Sequence, residues 1–87
     1  MEFKHKWPDL FILDKELPTL DGLAISKFLR LQESTKTIPI IMISAHHVGN
    51  RAKRIGIDEF IKKPFQLNHL LEVIRRYTQT EHEEIHA

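Results

Sequence analysis

The apolar positions of this chain fall into two kinds of pattern. Leu10 to Leu13 is unbroken and apolar, as is most of Ile38 to Ile43, and Glu59-Phe60-Ile61 is a shorter run. Continuous apolar runs of this length suit strands covered on both faces. Between and after them the apolar residues recur every three or four positions, the period of a helix with one inward face. Asp21-Gly22 opens the first such segment, with Asp21 as N-cap and Leu20, Leu23, Ala24, Phe28 and Leu31 as its stripe. Ser34 to Thr37 is a polar connection. The second segment, His46 to Ile55, carries only Val48, Ala52 and Ile55, and holds Gly49-Asn50 in a poor helix interior. Gly56 follows as a C-cap glycine. The third segment has the fullest stripe: Leu67, Leu70, Leu71, Ile74 and Tyr77.

The order is therefore β-α-β-α-β-α, an α/β fold with parallel strands joined by right-handed helical crossovers. At 87 residues the chain makes at most one small domain. Hydrophobic residues are 41% and charged residues 29%, and the net charge is +1. That charge gives no field to draw nucleic acid or an anionic membrane. The basic cluster Arg51, Lys53, Arg54 reads as a solvated helix face. No apolar run reaches the length of a membrane span, and no apolar stretch follows the basic residues of the N-terminus as in a signal peptide. The absence of cysteine rules out disulfides and thiolate metal sites. The expected location is cytoplasmic.

Chemistry concentrates at strand ends. Asp14, Ser44 and Lys63 each close one apolar run, and open parallel sheets keep their functional sites at the carboxyl ends of their strands. Read alone, Asp14 is equally a strand-end carboxylate capping a loop. The set Pro8-Asp9-Leu10 to Leu13-Asp14, Leu17-Pro18, Asp21-Gly22, Ile40 to Ile43-Ser44-Ala45 and Lys63-Pro64-Phe65 resembles the receiver domain of two-component response regulators. The resemblance runs from about Trp7 to Tyr77. It implies a flavodoxin-like (CheY-like) fold in truncated form, with three parallel strands that are neighbours 3, 4 and 5 of the family's order 2-1-3-4-5. The first strand, first helix and second strand of a receiver have no counterpart, nor has the acidic pair with which receivers hold a divalent metal. A partial receiver domain is expected over 7–78 and a polar tail over 79–87.

The resemblance also assigns roles. Asp14 would be the phosphoacceptor in a phosphorelay, with a histidine kinase or phosphotransfer protein as donor. Lys63 would screen the phosphoryl charge, Ser44 would donate a hydroxyl to a phosphoryl oxygen, and the small Ala45 would leave room for the group. Phe60 stands where the family carries an aromatic switch residue, a reading compatible with a core Phe on a buried strand. His46 lies at the mouth of the site in receivers; beside His47 the solvated loop histidine is the preferred reading. Asp14 and the backbone carbonyl of Glu16 would be metal ligands. With the acidic pair missing, Mg²⁺ is expected to bind weakly, because it takes near-octahedral oxygen ligands. A second reading is a phosphorylation-independent interaction module. An exposed sheet edge would favour a homo-oligomer, or a chain that completes the sheet.

His82-Glu83-Glu84-Ile85-His86 fits the H-E-x-x-H pattern of zinc peptidases. It occupies the chain's last residues, with no downstream third ligand and no cleft expected there, so it reads as a chance match in a polar tail. Ser44 lacks the Gly-x-Ser-x-Gly context of a hydrolase nucleophile.

Overall fold

Strand β1 (Phe11–Asp14), helix α1 (Gly22–Leu31), strand β2 (Ile40–Ser44), helix α2 (Gly49–Ile55), strand β3 (Glu59–Lys62) and helix α3 (Leu67–Thr78) follow one another in a computed structural model. The structure describes residues 7–16, 21–47 and 49–78. Leu20, Val48, the Leu17-Pro18 pair, the tail 79–87 and the His82–His86 motif lie outside the described residues. The three strands pair in parallel in the order β1-β2-β3. Phe11 sits opposite Ile40 and Asp14 opposite Ile43; Ile41 sits opposite Glu59 and Ser44 opposite Lys62. The α/β architecture and strand order follow the sequence reading.

The continuous apolar runs are explained by two-sided burial. Every residue of β2 is buried. Because side chains alternate across a strand, Met42 joins Leu23 of α1 and Ala52 of α2 on one face, with Leu13, Ile55, Ile57 and Phe60 around them. Ile41 and Ile43 join Ile61 and Val73 of α3 on the other, backed by Leu10, Phe65, Leu70, Ile74 and Tyr77. One edge of the sheet is β1, and its Ile12 is exposed.

Helix faces depart from the sequence stripes. In α1 the buried line is Gly22, Leu23, Ser26 and Leu29, whereas Ala24 is exposed and Phe28 and Leu31 are 59% and 73% exposed. The small Ser26 fits against the sheet because its hydroxyl is satisfied within the helix, donating to the Gly22 carbonyl at 2.9 Å. In α3 the buried residue is Val73, which the stripe had passed over. Leu70, Ile74 and Tyr77 flank it, while Leu67 and Leu71 are exposed. Helix α2 begins at Gly49 rather than His46, so Gly49-Asn50 forms its first turn, where the cost of glycine is small.

The caps behave as their residues dictate. Asp21 accepts the Leu23 N–H at 3.0 Å as N-cap of α1. Gly56 takes φ +100°, a left-handed conformation that glycine reaches without a Cβ clash. Its N–H bonds the Lys53 carbonyl and the Ile57 N–H bonds the Ala52 carbonyl, a Schellman closure of α2.

One fastener was not legible beforehand. Arg30 donates from Nε to the Gly56 carbonyl (2.9 Å), from Nη1 to the carbonyls of Ile38 (2.8 Å) and Lys36 (3.1 Å), and from Nη2 to Asp58 Oδ2 (2.8 Å). The same Asp58 oxygen accepts the Ile40 N–H at 2.9 Å, at the start of β2. A planar guanidinium thus ties the end of α1 to both loops entering the neighbouring strands.

Candidate functional site

Parallel pairing with this register brings the ends of β1, β2 and β3 to one rim of the sheet. Asp14 ends β1, Ser44 ends β2, and Lys63 follows the last residue of β3. The ladder continues one step past the strands: the Lys15 N–H donates to the Ile43 carbonyl at 2.9 Å and the Lys63 N–H to the Ser44 carbonyl at 2.8 Å. These bonds fix the backbones that carry the side chains. The start of α1 closes in from the side. A Cβ built on Gly22 would stand 2.9 Å from Lys15 Cα and 3.1 Å from the Asp14 carbonyl oxygen, so only glycine allows this approach. The Lys63–Pro64 peptide is cis.

The three predicted residues are brought together, though not all on one partner. Lys63 Nζ donates to Asp14 Oδ2 at 2.8 Å. The other oxygen, Oδ1, accepts the Glu16 N–H at 2.9 Å, which turns the loop back onto the carboxylate. Both interactions favour the charged form, the lysine bond foremost, and hold the Asp14 carboxyl below its ordinary value. The same bond to Asp14 pushes the Lys63 ammonium upward.

Glu16 is the residue whose side chain the sequence reading did not place. Its Oε2 accepts the Ser44 hydroxyl, and its Oε1 accepts the Ala45 N–H at 2.9 Å. Lys63 Nζ lies 3.8 Å from Oε1 and His46 Nδ1 lies 3.4 Å from Oε2. The Ser44 hydroxyl bond and the Ala45 N–H hold this carboxyl down to about 2, outweighing the partial burial that would raise it. Ser44 has one proton to give; the His46 carbonyl at 2.9 Å is its other possible acceptor, and the His46 N–H donates back to the hydroxyl oxygen at 3.0 Å. A carboxylate is the stronger acceptor of the two. The signal for this contact is present in the sequence: an acidic residue two positions beyond one strand-end carboxylate, able to reach across to the neighbouring strand's end.

His46 is exposed at the rim of this group. Phe60 stands apart from it, half-buried against Leu23, Met42 and Ala52, with its ring edge-on to His47 at 6.1 Å between centroids. The core reading of Phe60 therefore has direct packing behind it. Ala45 is exposed, and contributes its N–H rather than a side chain.

Magnesium needs a nearly octahedral set of oxygens. Among the described residues no three His, Cys, Asp or Glu side chains gather around one point. Both Asp14 oxygens are engaged, and the Glu16 carboxylate is turned toward Ser44 and Ala45. The described residues do not by themselves fit the ion.

Known proteins resemble this chain in sequence and fold. The family described as response regulator receiver domain matches residues 1–75. The polar-differentiation response regulator DivK of Brucella ovis is 33% identical over 73 residues, covering 80% of this chain and 59% of that protein. The phosphate regulon transcriptional regulatory protein PhoB of Klebsiella pneumoniae is 34% identical over 79 residues, covering 85% of this chain and 34% of that protein. The chain thus spans little more than half the length of DivK. Among solved structures, the receiver domain of sensor histidine kinase PA1611 from Pseudomonas aeruginosa is 30% identical with a TM-score of 0.69, over 79% of this chain and 59% of that one. That structure has a magnesium ion coordinated in its active site cleft. The receiver domain of a histidine kinase from Syntrophus aciditrophicus is 31% identical with a TM-score of 0.74, over 85% and 58%.

Proposed function

Because the chain belongs to the response regulator receiver domain family of two-component signalling, we propose that Asp14 is its phosphoacceptor and that the donor is a histidine kinase or a phosphotransfer protein. The observation that carries this reading is the 2.8 Å bond from Lys63 Nζ to Asp14 Oδ2, with the Ser44 hydroxyl and Ala45 N–H on the same rim. In the transfer, the P–N bond of a phosphohistidine breaks as a P–O bond forms to a carboxylate oxygen of Asp14. The imidazole leaves with the electron pair and takes a proton from solvent. Lys63 sits beside Asp14, where negative charge accumulates as the phosphoryl group arrives, and a fixed ammonium there lowers the barrier. The N–H of Glu16 keeps the carboxylate turned toward the rim. Ser44 and Ala45 offer two donors to phosphoryl oxygens. The modified state then reaches a partner as a population shift over α2, β3 and α3, with Phe60 as the residue whose packing changes. We place the protein in the cytoplasm; among the described residues no helix is long and apolar enough to cross a membrane.

The test is incubation of the chain with phosphoramidate and Mg²⁺, followed by intact mass. We expect slow, substoichiometric gain of one phosphoryl group, released by hydroxylamine and absent from Asp14→Asn. Equal labelling of Asp14→Asn would overturn the assignment.

One observation favours a second reading, an interaction module that works without phosphate. The Glu16 carboxylate already occupies Ser44 and Ala45. In that case partner binding is the same in wild type and Asp14→Asn, and phosphodonor changes neither.

A further inference from the structure

A phosphoryl group on Asp14 needs hydrogen-bond donors for its oxygens, and the rim offers three within reach: the Ser44 hydroxyl, the Ala45 N–H and the Lys63 ammonium. In this chain all three face a carboxylate that is part of the protein. Glu16 takes the hydroxyl on one oxygen and the N–H on the other, with Lys63 Nζ 3.8 Å from the second. Its own N–H is bonded to Asp14, so the residue is anchored at both ends of the site. A carboxylate and a phosphoryl group present oxygens to donors with similar geometry.

We propose that Glu16 is a built-in occupant of the phosphoryl pocket, which an incoming phosphate must displace and which holds Ser44 bonded as phosphoryl oxygens would hold it. This rests on the reading of the rim as a phosphoryl site and adds its regulation. Two physical consequences follow. A tethered carboxylate competes at an effective concentration on the order of millimolar or above, set by the short loop rather than by solution. The pocket also carries two carboxylates against one ammonium while Glu16 is seated, and this opposes the approach of a further anion. Displacement is an exchange of one set of charge-assisted bonds for another, so the occupant slows entry without closing the site. The apparent affinity of any anion for the rim is lowered by the fraction of time that Glu16 is out.

The probe is inorganic phosphate, read on the amide resonances of the full ¹⁵N-labelled chain, which needs neither metal nor phosphoryl transfer. In wild type the Ala45 amide is expected downfield, as for an N–H bonded to a carboxylate, and nearly unresponsive to phosphate. In Glu16→Ala it is expected to move upfield and then return downfield with added phosphate, with an apparent affinity at least about tenfold tighter than in wild type. Glu16→Gln keeps an acceptor for the Ala45 N–H without the charge and should fall between them; it also serves if the alanine variant does not fold. Equal phosphate response in wild type and variants overturns the proposal. So does a dispersed variant spectrum in which Ala45 neither shifts on substitution nor responds to phosphate. Phosphoramidate labelling of the same samples separates this from the broader reading. If Asp14 accepts phosphate at one rate with or without Glu16, the occupant is refuted and the receiver stands. If phosphate binds at Ala45 only in the variants but Asp14 is never labelled, the occupant stands and the phosphoacceptor fails.

Discussion

Asp14 at the end of β1, Glu16 just beyond it and Lys63 just after β3 form a charged triplet, and their protonation ties stability to pH. Asp14 and Glu16 are both held below their ordinary values of 3.8 and 4.5. A carboxyl depressed by folding contributes stability that is complete above its unfolded value and lost as pH falls toward its folded one, because the unfolded chain binds the proton first. The wild-type protein should therefore lose stability as pH drops from about 4.5 toward 2, and Glu16→Gln should lose less over that interval. Urea unfolding at stepped pH checks it; parallel curves for the two proteins would contradict the geometry given to Glu16. Asp14, Ser44 and Lys63 were legible in the sequence because each stands at the end of an apolar run. Glu16 was legible only as a metal ligand and not as the partner of the neighbouring strand end, since a side chain's direction on a loop depends on which donors that strand end presents. Here those donors are Ser44 and Ala45.

At the scale of the element, strands were easier to read than helix faces. A strand buried on both sides, as β2 is, leaves one pattern, an unbroken apolar run. A helix with more apolar residues than one face can hold leaves several, and α1 and α3 are of that kind. The sheet selects Leu23, Ser26 and Leu29 in α1 and Val73 in α3, leaving Phe28, Leu31 and Leu67 outside. Burial predicts the consequence. Val73→Ala, at a fully buried position, should cost about 2 kcal/mol, whereas Leu67→Ala, 64% exposed, should change stability by no more than about 0.5 kcal/mol. Equal costs would place the inward face of α3 elsewhere. The Arg30 fastener shows what periodicity cannot reveal, since its partners are mostly backbone carbonyls in the loops that enter β2 and β3. Arg30→Ala should destabilise by about 2–3 kcal/mol. Arg30→Lys should recover little of it, because an ammonium cannot span carbonyls on two loops and Asp58 together. Full recovery by lysine would show that charge toward Asp58 suffices.

For the molecule as a whole, the sheet has β1 at one edge among the described residues, and apolar groups are exposed at Trp7, Ile12, Phe28 and Leu31. Unpaired strand edges and apolar surface of this kind are templates for another chain. We expect the purified chain to self-associate, read as a mass above the monomer in light scattering that falls on dilution. A monomer that unfolds cooperatively at every concentration would contradict this. The central claim, that Asp14, Ser44 and Lys63 make a phosphoryl site, is tested most directly by adding Mg²⁺ and beryllofluoride, a phosphoryl mimic, to the ¹⁵N-labelled chain and to Glu16→Ala. The account predicts amide shifts centred on Asp14, Ser44, Ala45 and Lys63, larger in the variant than in wild type. Well-dispersed spectra in which those four residues respond in neither protein would contradict it, and would leave a folded interaction module built on a receiver frame.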